Sequence, residues 1–131
     1  QCGLKYSERL VVAGDNSIGS GEQAAEKLLS RKRRPTAIFA ANDDMAAGVV
    51  RVADRLGINI PEELSVAGYD DIALAQQIYP ALTTINQPLT SMADVAVTKL
   101  VESLRSKGPL KGTEIVPASV KIRGSTGPAP G

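Results

Sequence analysis

Short apolar runs that end in polar residues recur four times along the chain. Each run is rich in β-branched or small apolar residues, and Asp, Asn or Gln follows it within a few positions. Continuous apolar runs of this length, bounded by turn residues, are typical of strands that are buried on both faces. We predict strands at residues 10–13, 37–40, 65–68 and 82–85.

Helical periodicity fills the segments between these runs. Ser20, with Gln23 three residues later, resembles a capping box, and Asn42 or Asp43 can cap the second helix. Gly48 lies inside that helix, where a glycine indicates the close approach of another backbone or of a partner chain. The predicted helices span residues 20–30, 43–56, 72–78 and 89–106. The buried face predicted for helix 20–30 consists of Ala24, Ala25, Leu28 and Leu29. The buried face predicted for helix 89–106 consists of Leu89, Met92, Ala93, Ala96, Val97, Leu100 and Leu104.

Strands and helices therefore alternate along the chain. This order is typical of right-handed βαβ units, so we predict an α/β fold with a doubly wound parallel sheet flanked by helices. Two short apolar stretches, at residues 115–116 and 120–122, fit an edge pair or a strand that completes a neighbouring unit. The sequence predicts one domain over residues 1–124 and a flexible tail over residues 125–131.

The composition excludes several classes of function. The chain has 131 residues, 43% of them hydrophobic and 22% charged, which is typical of one soluble globular domain. It has no histidine and one cysteine, which rules out His-dependent catalysis and nearly excludes a zinc site. A net charge of +1 offers no overall field for nucleic acid, and no apolar run approaches the 18 residues of a membrane span. We expect a protein that is not an enzyme and has no metal, cofactor or membrane partner.

The polar residues that follow the predicted strands define a candidate site. The carboxyl ends of parallel strands meet at one edge of a sheet, where loops and helix N-termini converge on a ligand. Carboxylates and amides gathered there suit polyhydroxylated or amine-bearing small molecules. Two alternatives remain: each residue is only a helix cap, or the carboxylates bind Mg²⁺, although none of these loops carries the lysine typical of such sites. The residues are Asp15, Asn16, Asn42, Asp43, Asp70, Asp71, Asn86 and Gln87.

The chain resembles the lactose/galactose repressor (LacI/GalR) family of bacterial transcription regulators in the order and spacing of three segments. They are the Ala41-Asn42-Asp43 turn, residues 61–71 and the run PALTTI at residues 80–85. The resemblance extends from about Gly14 to the tail. It implies the C-terminal lobe of a type I periplasmic-binding-protein-like effector domain, which closes on a small molecule, usually a sugar or a purine.

The family pattern also implies roles for individual residues. Asp70 matches the main ligand-binding carboxylate, Asn42 an amide at a strand–helix junction, and Gln87 a polar group at the cleft or hinge. Asn16 and Leu89 stand where relatives carry aromatic rings. We therefore expect that hydrogen bonds dominate ligand binding by this lobe and that any stacking comes from the other lobe.

The resemblance further implies partners and a location. It implies a cytoplasmic homodimer, which binds operator DNA only through an N-terminal headpiece that this sequence does not contain. The alternative is a periplasmic solute-binding protein for sugar transport, which has the same fold and would need a signal peptide. The residues expected at the dimer interface are Ala47, Gly48, Val50, Arg51, Gln77 and Ile78.

Overall fold

A computed structural model describes residues 3, 5–106, 108 and 112–130. Residues 1, 2, 4, 107 and 109–111 of the predicted domain, and residue 131 of the predicted tail, lie outside this description. After a 3-10 turn at Glu8–Leu10, the elements are α1 (Ile18–Leu29), β1 (Ala37–Phe39), α2 (Asp43–Arg55), β2 (Ser65–Asp70), α3 (Leu74–Gln77), β3 (Thr83–Asn86), α4 (Leu89–Ser106) and β4 (Ser119–Lys121).

The four strands form one sheet in the order β1-β2-β3-β4. The first three strands are parallel, with Ile38 opposite Val66 and Gly68 opposite Thr84, and β4 is antiparallel to β3. The predicted α/β class with a parallel sheet flanked by helices is confirmed, with one antiparallel edge strand added. Residues 115–116, the first of the two late apolar stretches, form no strand.

Glycines allow the first two helices to pack backbone against backbone. A Cβ atom at Gly48 in α2 would overlap the carbonyl oxygen of Ile18 in α1, and one at Gly21 would overlap the backbone of Met45. Gly48 therefore serves the approach of α1, which is the first of the two predicted explanations. The apolar face predicted for α1 is buried, as are Leu64, Val66 and Leu82 in the core.

Two predictions at the N-terminal end are wrong. Residues 10–13 form no strand: Leu10 ends the 3-10 turn, and residues 11–13 pair with no strand in the part of the chain that the structure describes, so that Val11 is 60% exposed. The cap of α1 is Ser17 instead of Ser20: its Oγ accepts a hydrogen bond from the Ser20 N–H at 3.1 Å. The helix begins accordingly two residues earlier than predicted, at Ile18.

The burial predicted for the long C-terminal helix is also wrong, although its bounds are correct. Among the described residues, α4 has none that is buried, and Leu104 is 71% exposed. The apolar spacing of a helix predicts which residues share a face, and says nothing about what covers that face. None of the helices in the described ranges has the length and apolarity needed to cross a bilayer.

The first residues of the predicted tail pack into the folded domain instead of extending away from it. Ser125 is fully buried, with its Oγ donating to the Val66 carbonyl at 2.6 Å and accepting from the Thr83 N–H at 2.8 Å. Its own carbonyl accepts from the Val66 N–H at 2.8 Å, and the Gly127 N–H donates to Ser65 Oγ at 3.1 Å. Residues 125–127 therefore join β2 to β3, because a serine can satisfy the backbone groups that these strands leave open.

Removal of residues 125–131 is expected to lower the free energy of unfolding by about 3–5 kcal/mol, since several buried backbone groups lose their partners. Removal of residues 128–131 alone keeps Ser125 to Gly127 and serves as the control, with an expected change below about 0.5 kcal/mol. Urea denaturation measures both. Equal stability of the two truncated chains would contradict this assignment.

Candidate functional site

The carboxyl ends of β1, β2 and β3 lie side by side, because the three strands are parallel neighbours. Asn42 follows β1, Asp70 ends β2, and Asn86 and Gln87 lie at the end of β3. The register pairs Asp70 directly with Asn86. We call the edge formed by Asn16, Asn42, Asp70 and Gln87 the rim. The expectation that Asn42 and Asp70 share one edge of the sheet is confirmed.

Asp70 is the rim residue whose backbone is most unusual. Its φ is 109°, a region that residues other than glycine rarely adopt and that costs about 1–3 kcal/mol. Its Oδ1 accepts a short hydrogen bond from Gln87 Nε2, and in the described residues no group donates to its Oδ2. The half-buried carboxylate thus has a fixed direction and an oxygen available to a ligand.

The neighbouring Asp71 performs a different task. Its Oδ1 pairs with Arg123 Nη2, and its Oδ2 accepts from Asn86 Nδ2 at 3.1 Å. Arg123 also donates to the Leu82 carbonyl at 2.8 Å, and the side chains of Arg123 and Asp71 are only 18% and 9% exposed. Asp71 is therefore a structural anchor that fixes the backbone beside Asp70. Arg123 was not predicted from the sequence, because its position beside Asp71 depends on the antiparallel return of β4.

Asp43 links the N-terminus of α2 to the loop after Asp70. It is fully buried, its Oδ1 accepts from Thr84 Oγ1, and its Oδ2 accepts from the Ile72 N–H at 2.9 Å. A Cβ atom at Gly68 would overlap Asp43 Oδ1, so β2 needs a glycine at this point. Asp43 is consequently a positioning residue under the rim, with no exposed atom for a ligand.

Asn42 is engaged within the chain at both ends of its amide. Its Oδ1 accepts from the Met45 N–H at 2.9 Å as the cap of α2, and its Nδ2 donates to the Asn16 carbonyl at 3.0 Å. The helix-cap alternative therefore accounts for Asn42 within the described chain. Asn16, with φ 68°, is exposed, and its side chain lies at the rim without a hydrogen-bond partner among the described residues.

Asp15 precedes Asn16 in a tight polar turn at the start of α1. The Ser17 hydroxyl, then the Ser20 side chain and the Ser17 N–H, lower the pKa of the Asp15 carboxyl below its ordinary value. Asp15 is therefore ionised at neutral pH. Among the described residues, no group of three or more His, Cys, Asp or Glu side chains is placed to hold a metal ion.

The other predicted residues have mixed outcomes. Leu89 is 61% exposed and follows Gln87 by two positions, so it lies near the rim. Of the predicted dimer residues, Ala47, Gly48 and Val50 are buried inside this chain, because α1 packs over that face of α2. Ile78 is half-buried against the core. Ala47, Gly48 and Val50 therefore offer little surface to a partner, Ile78 is partly exposed, and Arg51 and Gln77 are exposed.

Comparison with known proteins identifies the family. The family described as a periplasmic binding protein-like domain matches residues 1–126. The HTH-type transcriptional repressor PurR of Serratia proteamaculans is 39% identical over 107 residues, which cover 82% of this chain and 31% of the relative. The chain thus spans about a third of the length of this curated relative.

Solved structures agree with this match. The transcriptional regulator CelR in a cellobiose complex is similar with a TM-score of 0.87 and 32% identity, over 94% of this chain and 38% of that chain. A LacI family transcriptional regulator from Enterococcus faecium with bound ribose has a TM-score of 0.77 and 31% identity, over 88% of this chain and 42% of that chain. The chain belongs to the LacI/GalR family of transcriptional regulators, and its fold is that of their periplasmic-binding-protein-like domain.

Proposed function

We propose that this chain is one lobe of the effector-binding domain of a bacterial DNA-binding transcriptional regulator, and that the rim binds a sugar or a related small metabolite. The observation that carries the proposal is the carboxylate of Asp70. It lies at the rim in a rarely populated backbone conformation, with one oxygen held by Gln87 and the other available. Strained backbone at a ligand-facing edge is typical of binding sites.

The chemistry of the rim favours a hydroxyl-rich ligand. A carboxylate oxygen accepts hydrogen bonds from hydroxyl groups, and the Gln87 side chain adds a carbonyl oxygen. Tyr79 is 92% exposed on the loop before β3, and the rim itself contains no aromatic side chain among its four residues. Two relatives whose structures contain cellobiose or ribose are consistent with this ligand class. Hydrogen bonding is therefore the main contribution of this lobe.

Regulation is the role that the relatives favour over solute transport or catalysis, since they are transcriptional repressors and regulators. In this proposal the full-length protein acts in the cytoplasm as a homodimer and contacts operator DNA through a headpiece outside this chain. Effector binding changes the relative populations of two lobe arrangements and thereby the spacing of the headpieces. Of the dimer residues predicted from the sequence, Arg51 and Gln77 are accessible to a partner.

A thermal-shift screen of the full-length protein tests the proposal. The compounds are cellobiose, ribose, other sugars, polyols and nucleobases, each measured against wild type and Asp70→Ala. A ligand at about 100 times its Kd stabilises the folded state by about 2.7 kcal/mol, which gives a clear rise in Tm. We expect a sugar or polyol to raise the Tm of wild type clearly more than that of Asp70→Ala. An equal rise in Asp70→Ala, or no rise with any compound, would contradict the proposed site.

A further inference from the structure

A cluster of cations follows the end of α1. Lys27 lies in the last turn of the helix, and Arg31, Lys32 and Arg33 lie in the bend and turn that lead from α1 towards β1. Lys27, Lys32 and Arg33 are exposed, and Arg31 is half-buried. We call these four residues the basic patch. It lies close to the start of β1, whereas the rim lies where the strands end.

The ion pairs of the described residues include none that involves the basic patch. Two neighbouring carboxylates are engaged elsewhere: Glu26 pairs with Arg55 at 2.7 Å, and Glu63 pairs with Arg34 at 2.6 Å. The patch therefore presents four positive charges over a short stretch of surface, although the net charge of the whole chain is only +1.

The end of α1 accounts for two of these cations and leaves the other two without a structural role. Lys27 lies in the last turn, and Arg31 Nε donates to the Lys27 carbonyl at 3.2 Å, so both complement the negative end of the helix dipole. That effect falls off within the last turn, and Lys32 and Arg33 lie beyond it. In the described chain, the side-chain hydrogen bonds of residues 31–34 are made by Arg31 and Arg34 only.

The chemistry of the basic patch fits the phosphate backbone of a duplex. Two of its four side chains are guanidinium groups, whose N–H donors match a pair of phosphate oxygens. Residues 30–34 contain no aromatic or apolar side chain. Single-stranded nucleic acids are bound by aromatic stacking, and the centres of protein interfaces are rich in aromatic residues, so neither fits this surface. Sequence-independent binding of duplex DNA requires only cations that contact its phosphates.

We propose that the basic patch binds the phosphate backbone of duplex DNA, independently of sequence and apart from the headpiece. The chain belongs to a family of transcriptional regulators, so duplex DNA is a polyanion that the protein meets. The inference rests on the proposed DNA-binding role and does not depend on the effector of the rim. Four phosphate contacts give a slope of log affinity against log salt of about −3.6, so affinity should fall about 100-fold between about 50 and 200 mM salt.

Lysine footprinting of the full-length protein tests the proposal. The protein is acetylated with and without an excess of a short duplex of mixed sequence, and mass spectrometry quantifies each lysine. At about 50 mM salt the duplex should slow the acetylation of Lys27 and Lys32 at least about fivefold, whereas Lys121 on β4 should react equally in both samples. These two lysines report on the patch alone, so a headpiece that bound no duplex would contradict the proposed function and leave this measurement intact.

Arg33→Gln and Arg33→Lys supply a matched pair of variants. Arg33→Gln should reduce the salt slope of the protection by about 0.9 at an unchanged Tm, whereas Arg33→Lys, which keeps the charge, should retain the slope. Equal acetylation of Lys27 and Lys32 with and without DNA would overturn the proposal, as would lysines that fail to react even without DNA, since the patch would then be covered. Equal protection by polyglutamate or by anionic lipid vesicles would also overturn it, because the patch would then belong to an acidic protein or a membrane.

Discussion

Asp70→Gly is expected to weaken effector binding by the full-length protein about 10- to 100-fold while leaving the free energy of unfolding unchanged to within about 1 kcal/mol. Binding suffers because a charged acceptor at the rim is lost. Stability is retained because glycine adopts a φ of 109° without strain. That gain, about 1–3 kcal/mol, offsets the lost bond to Gln87 and the greater freedom of glycine in the unfolded chain.

The neighbouring residue provides the control. Asp71 also has a positive φ, 59°, but its carboxylate binds Arg123 and Asn86 inside the structure. Asp71→Gly leaves the Arg123 guanidinium without its carboxylate in a largely buried position, so we expect a loss of about 2–4 kcal/mol in stability. The two substitutions are chemically identical and one residue apart, which separates a ligand-facing role from a structural one.

Calorimetric titration with the compound that gives the largest rise in Tm measures binding, and urea denaturation measures stability. The assignment fails if Asp70→Gly binds that compound as wild type does. It also fails if Asp70→Gly destabilises the protein as much as Asp71→Gly does, because Asp70 would then be a structural residue as well.

Asp43→Ala is expected to lower the free energy of unfolding by about 2–4 kcal/mol. The buried Thr84 hydroxyl and the Ile72 N–H would lose their acceptor, and each unsatisfied buried group costs about 1–3 kcal/mol. The loop after Asp70 would also lose its connection to α2, so effector affinity should fall although Asp43 contacts no ligand. Denaturation and calorimetry on the same variant measure both effects.

Two variants control for the change at Asp43. Asp43→Asn keeps an acceptor for the Ile72 N–H, and its amide can donate to the Thr84 oxygen, so most of the stability should return. Asp44→Ala removes a half-buried carboxylate from the same helical turn and should cost only about 0.3–1 kcal/mol through the helix dipole. A loss in Asp44→Ala as large as that in Asp43→Ala would show that charge at the helix N-terminus, and not the buried contacts, matters.

The local chemistry of the sequence is sufficient to predict the rim. Strand ends followed by Asn42, Asp70 and Gln87 place these residues at one edge as soon as the strands are parallel, and the structure has this arrangement. The cap of α2 follows from Asn42 for the same reason: a cap depends only on residues three positions apart. Local rules were sufficient for the rim and for the cap of α2, but not for the cap of α1, which is Ser17 instead of Ser20.

Contacts between residues that are distant in sequence were not predicted. The pairing of Arg123 with Asp71 joins residues 52 positions apart, and the burial of Ser125 depends on two strands that lie far from it in sequence. The apolar residues of α4 and of the segment 10–13 have the expected pattern, but none of them belongs to the buried core in the described part of the chain. A pattern of apolar residues predicts that a face will be covered, and the covering element must be found in three dimensions.

The Gln87 side-chain amide gives the most direct test that the rim binds the effector. In the full-length protein, labelled with ¹⁵N and titrated with the compound selected by thermal shift, its NH₂ resonance is assigned by its loss in Gln87→Leu. We predict that this resonance moves and saturates with the calorimetric Kd, and that in Asp70→Gly the midpoint of the titration moves to a ligand concentration about 10- to 100-fold higher. An unmoved Gln87 resonance at saturating ligand, with shifts at residues remote from the rim, would contradict the account.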